Sequence, residues 1–124
     1  MTMSFQQEST QETTGGNEEA HLDSNIISEL KDIMEDDFGF LLETYLDDAS
    51  QKMTDIQTTL DASDSAEVRE LAHSLKGASC NIGALPLARI CESVEHLAKD
   101  GKLDDVAPLM SDLETEYSAV KTLL

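Results

Sequence analysis

The stretch Ala72-His73-Ser74-Leu75-Lys76-Gly77-Ala78-Ser79-Cys80 carries the side chains best suited to chemistry in this chain. A neutral imidazole is a competent nucleophile near pH 7. On a helix turning about 100° per residue, Val68, Leu71, Ala72, Leu75, Ala78, Ser79 and Ile82 gather on one side, and His73 points about 160° from their centre. The histidine is therefore expected in solvent while its helix faces a core. Arg69 and Gly77 lie one turn before and after it, Lys76 three residues on, and Cys80 two turns on. Two basic groups beside an exposed imidazole make a local site for an anion that arrives and leaves. Lys76 could offset charge on the oxygens of a phosphoryl group bonded to the ring. Glycine inside a helix costs about 0.5–1 kcal/mol relative to alanine. At Gly77 that cost leaves room for close approach, unless the residue packs against a second helix.

Other chemistries fit less well. Glu70 and His73 match the Glu-x-x-His spacing of di-iron bundles, but such sites need two pairs pointing inward, and the second match, Glu18 and His21, falls in a polar tail. Cys80 and His73 stand ~10 Å apart on one helix, too far for a nucleophile–base pair. His21 and His96 read as solvated, Cys80 as an exposed small residue and Cys91 as core. No metal or cofactor site is expected in this chain.

The elements that must place His73 are helical. Residues 1–21 are rich in Gln, Ser, Thr, Glu and Gly, lack helical periodicity and are predicted to be a disordered tail, passive or used for docking. From residue 22 to 124 the pattern predicts one domain. Asp23 or Ser24 caps a short first helix with Ile26, Leu30 and Ile33 on its buried stripe. A second helix spans about 36–60, with Phe38, Leu42, Tyr45, Ala49, Met53, Ile56 and Leu60 facing inward. A third opens at Ser63, Asp64 or Ser65 and stops at Gly83. A fourth starts near Leu85, with Pro86 in its first turn, and reaches Gly101. A fifth carries Leu103, Val106, Met110, Leu113, Tyr117, Val120 and Leu124, with Pro108 near its first turn. The fold class expected is all-α: an antiparallel four-helix bundle with an additional short N-terminal helix over one end.

Composition narrows the partners. Across 124 residues, eight basic side chains face 26 acidic ones, for a formal charge of −18. Such a surface repels nucleic acid and anionic lipid, so a protein or a cation is the expected partner. The beginning of the chain has neither the basic start nor the apolar stretch of a signal peptide, and the apolar runs are too short to span a bilayer. Two cysteines without metal-ligand spacing suit a reducing, cytoplasmic setting.

The string His73-Ser74-Leu75-Lys76-Gly77, with Gly83 six residues on, resembles the HxLKG signature of histidine-containing phosphotransfer (HPt) domains. Ile90-Cys91-Glu92 with Val94-Glu95 is similar to the family's next helix. The resemblance covers about residues 23–124. It implies that His73 accepts phosphate at Nε2 from a receiver aspartate and returns it to another, between hybrid sensor kinase and response regulator. It implies that Lys76 steadies the phosphoryl group, that Gly77 admits the receiver, and that the receiver brings the Mg²⁺. On the same basis Glu95 and Lys99 of the next helix pass near the histidine, joining Arg69 and Cys80 as partner-binding candidates, and Met34 and Phe40 form an apolar docking rim. The sequence carries no ATP-binding or receiver pattern, so a stand-alone, monomeric carrier is expected rather than an enzyme. The alternative is a phosphorylation-inactive helical adaptor.

Overall fold

The computed structural model describes residues 20–124. Apart from Ala20 and His21, the expected tail lies outside the described residues. The chain forms α1 (Ser24–Met34), a 3₁₀ turn (Glu35–Asp37), α2 (Phe38–Asp61), α3 (Ser65–Asn81), α4 (Leu85–Lys99) and α5 (Leu103–Leu123). Links of a few residues force successive long helices to run antiparallel. The helices α2, α3, α4 and α5 pack in sequence, and α5 closes the ring against α2. There is no strand among the described residues.

Helix ends follow from side chains able to satisfy orphan amides. The Asp23 carboxylate accepts from Asn25 and Ile26 N–H, and the Asp64 carboxylate accepts from Glu67 N–H. Pro86 sits in the first turn of α4, where no amide donor is required. Gly83 ends α3 at φ +84°, and its carbonyl accepts from Asp23 N–H at 2.8 Å. The α3–α4 turn thus anchors the start of α1. A Cβ at Gly83 would lie 3.1 Å from Ile26 Cβ and 3.3 Å from the Asp23 carbonyl.

Ile56, Val68, Leu75, Leu87, Val94 and Leu113 are fully buried at the bundle centre. The one fully buried polar side chain among the described residues, Ser79, meets Tyr45 Oη at 2.7 Å. The bond ties α2 to α3, and burial pushes the Tyr45 phenol up to about 12. Because neither group can turn to water, losing one partner strands the other at about 1–3 kcal/mol.

Several boundaries and faces differ from the sequence expectation. The acidic run Glu35–Asp37 forms the tight turn instead of opening α2, since Glu35 adopts φ +50° and breaks the helix there. Ile33 is 76% exposed although it shares a stripe with Ile26 and Leu30. Leu22 and Leu30 pack against the core, whereas Ile33, one turn further on, stays outside it. Pro108 lies in the second turn of α5 rather than the first, on the exposed side of the helix. His21 is not simply solvated: its Nδ1 sits 2.6 Å from Glu116 Oε2 on α5.

Gly83→Ala is expected to destabilise the fold by about 1–3 kcal/mol, from the left-handed backbone and the crowding against Ile26. Ile33→Ser should stay within about 0.5 kcal/mol of the parent. Chemical denaturation of the two variants beside the parent checks both.

Candidate functional site

His73 lies in mid-α3, flanked by Ala72 and Leu75, whose burial sets the rotation of the helix. That rotation leaves the imidazole 64% exposed. Across the α3–α4 interface, Val94 and Cys91 are buried and turn Glu95 towards α3. The Glu95 side chain is only 14% exposed, and its Oε2 lies 3.0 Å from His73 Nδ1. An ionised carboxylate can only accept, so Nδ1 carries the proton. In the neutral ring the lone pair then resides on Nε2.

Lys76 Nζ lies 3.1 Å from the other carboxylate oxygen, Oε1. Oε1 is shut off from solvent and receives no well-aligned hydrogen bond, so Lys76 holds it by charge and proximity. Burial alone would push the Glu95 carboxyl up. The Lys76 ammonium and the His73 ring more than offset this and hold it below the usual carboxylate range. Hydrogen-bond reach to Glu95 in turn raises Lys76.

Arg69, Glu70, His73 and Glu95 line a hollow of about 210 Å³. A neighbouring hollow of about 230 Å³ runs along the same groove past Lys76, Cys80, Arg89 and Glu92. Gly77 lies on this face with nothing within 4 Å of where a Cβ would stand. It therefore packs against no second helix. Glu70 and His73 both point outward, the reverse of what an in-bundle di-metal site needs.

The structure thus gathers Arg69, His73, Lys76 and Glu95 at one place, with Gly77 and Cys80 beside them. Lys99 is exposed in the last turn of α4 and does not line the hollow. Phe40 is 73% exposed and Met34 half-buried. Sequence spacing did not reveal that Glu95 grips His73 and Lys76 together, nor that Glu70, Arg89 and Glu92 wall the groove. Those pairings cross between helices and depend on the α3–α4 register, which a single-helix projection does not contain.

A helical bundle that offers one imidazole to solvent, with a carboxylate on its Nδ1 and a lysine at its side, is chemically suited to carrying a group on that histidine. Comparison with known proteins agrees. The Hpt domain family model matches residues 41–123, which hold His73, Lys76 and Glu95. Histidine-containing phosphotransfer protein B from Pseudomonas aeruginosa PAO1 superposes with a TM-score of 0.83 at 34% identity, over 86% of this chain and 92% of that one. Phosphotransferase RcsD of Escherichia coli is 29% identical over 96% of this chain and 12% of its own length. Multistep phosphorelay regulator 1 of Schizosaccharomyces pombe is 25% identical over 73% of this chain and 32% of its own length. The chain thus spans about an eighth and a third of these two relatives. It belongs to the Hpt domain family.

Two outcomes follow. Gly77→Ala should stabilise the helix by about 0.5–1 kcal/mol, since nothing obstructs the methyl group. Thermal unfolding tests this. Glu95, with its carboxyl held low, contributes stability that is complete above its ordinary value of about 4.3 and is lost as pH falls through the folded value. The gap in Tm between parent and Glu95→Gln should therefore be largest near neutrality and close as acidification passes below the ordinary carboxylate range.

Proposed function

We propose that this chain relays a phosphoryl group between the aspartates of receiver domains, from a hybrid sensor kinase to a response regulator, in a multistep phosphorelay. The observation that carries this is the solvent-facing Nε2 lone pair of His73, fixed by Glu95, with Lys76 alongside. Family membership and the phosphotransfer relatives support it.

In this mechanism the receiver presents its aspartyl phosphate over Gly77, where an open surface lets another backbone approach His73. Nε2 attacks phosphorus in line with the departing aspartate oxygen. Lys76 turns from Glu95 to the phosphoryl oxygens and offsets their charge. Mg²⁺, held by the receiver, supplies the remaining charge neutralisation. The histidine chain contributes no ATP site and acts as a covalent carrier rather than an enzyme with its own turnover. The acidic surface suits a protein partner over nucleic acid or anionic lipid. Among the described residues no helix is long and apolar enough to cross a membrane. The two free thiols support a cytoplasmic setting. The docking surface is proposed to include exposed Phe40 and half-buried Met34 as apolar contacts and Arg69, Cys80 and Lys99 as polar ones. The carrier is taken to work as a monomer.

The test is transfer from a phosphorylated receiver with Mg²⁺. The parent should gain an acid-labile, base-stable label. His73→Gln should gain none while keeping its helical spectrum, because the side chain it replaces is exposed. Gly77→Trp should fold but transfer at least tenfold more slowly. Labelling of His73→Gln would move the site elsewhere, and no transfer to the parent from a broad set of receivers would favour the adaptor.

A further inference from the structure

We propose that Glu95 is a positioning residue that keeps the phosphoryl group on His73 labile, so that the ring gives it up as readily as it takes it. This rests on the reading of His73 as the phosphate carrier and concerns how that same site is tuned.

The proton count leads there. The form of the ring that can attack is neutral, with its proton on Nδ1, where Glu95 Oε2 accepts it at 3.0 Å. When Nε2 attacks, an N–P bond forms, the P–O bond to the donor carboxylate breaks, and that electron pair returns to the carboxylate. The ring is then an imidazolium that still holds its Nδ1 proton. In the reverse direction an aspartate or water oxygen bonds to phosphorus, the N–P pair returns to Nε2, and the ring leaves neutral. For water, the proton released goes to solvent. The ring itself neither gains nor loses a proton in either direction.

That balance fails if the phosphorylated ring sheds its Nδ1 proton. The departing group would then be an imidazolate anion, a far poorer leaving group. A carboxylate on Nδ1–H opposes this loss by stabilising the cation. Glu95 is well placed to do so because it is largely withdrawn from solvent, where charge interactions are less screened.

Lys76 strengthens the effect. A single ammonium cannot serve Glu95 and the phosphoryl oxygens equally. Its 3.1 Å contact with Oε1 helps hold the Glu95 carboxyl low, so turning it towards the phosphoryl group takes that counter-charge away from Glu95. Glu95 is then left with the imidazolium as its nearest full counter-charge. Phosphorylation thereby tightens the pair that keeps the ring protonated.

The other charged groups at this face come from α3 and α4, the two elements packed here. Arg69 and Glu70 share the hollow with opposite signs. Glu92 acts on Lys76 from α4. The Cys91 thiol beneath is neutral, since burial pushes it up to about 12. None of these contacts Nδ1 in place of Glu95.

The experiment loads the full chain with phosphoramidate, which needs no receiver, removes the excess, and follows loss of phosphohistidine by ³¹P NMR across pH ~5–10. The rate should fall as the Nδ1 proton leaves. In Glu95→Gln that midpoint should move down by about one pH unit or more, so that above it the label lives about tenfold longer than in the parent. A midpoint unchanged in Glu95→Gln overturns the proposal, since a residue that only supports the fold would alter the rate without moving the pH profile. A second measurement needs no variant: in the phosphorylated parent, the Nδ1 proton should titrate above that of phosphohistidine in the same chain under denaturant, and a value at or below it also overturns the proposal. A parent that takes no label at His73 contradicts the carrier reading itself, an outcome separate from a labelled parent with an unshifted profile.

Discussion

The His73–Glu95 hydrogen bond is the contact on which the rest of this molecule's chemistry depends. An exposed imidazole in water exchanges its proton between two nitrogens and reorients freely. Here one buried-edge carboxylate removes both freedoms: it fixes the proton on Nδ1 and the ring against α4. The same carboxylate holds Lys76 in waiting through its second oxygen. One acidic side chain therefore orients the imidazole and holds the lysine beside it.

The bundle exists, from this viewpoint, to keep α3 and α4 in register. A contact spanning 22 residues of sequence is only as precise as the packing between its two helices. That packing is the most extensive in the fold, built on Leu75, Leu87, Cys91 and Val94. Gly83 closes the hairpin with a backbone angle that other residues adopt only under strain, and its carbonyl receives the start of α1. On the far side, the buried Tyr45–Ser79 bond fixes α2 against α3. Dispersion and burial supply the bulk stabilisation, while these few directional contacts choose the alignment that brings Glu95 under His73.

Charge has a similar division. The surface is strongly acidic, yet Arg69, Lys76, Arg89 and Lys99, four of the eight basic residues, lie on α3 and α4. The same helices carry Glu67, Glu70, Glu92 and Glu95, so this face is close to charge balance on a protein whose surface elsewhere repels anions.

Much of this was legible in the sequence, and the parts that were not share a physical origin. Helical periodicity located every long helix, and the projection of His73 away from Val68, Leu75 and Ile82 placed it in solvent, because both are properties of one helix. Gly77 read correctly as open surface for the same reason. Ile33 misled because its stripe predicts burial only where the stripe meets the core, and Ile33 stays outside it. The acidic run before α2 was read for its favourable dipole, but the positive φ at Glu35 made it a turn. His21 and Glu116 pair across 95 residues, and no local pattern announces such a contact. Glu95 was placed near the histidine by resemblance, but its double grip needed the register between two helices.

The most direct measurement is a ¹H–¹⁵N correlation of the His73 ring in the unphosphorylated protein at neutral pH. The account predicts one dominant neutral tautomer, with the proton on Nδ1 and an unprotonated nitrogen signal at Nε2. A ring protonated mainly on Nε2, or one averaging between both forms as in a free peptide, would contradict it.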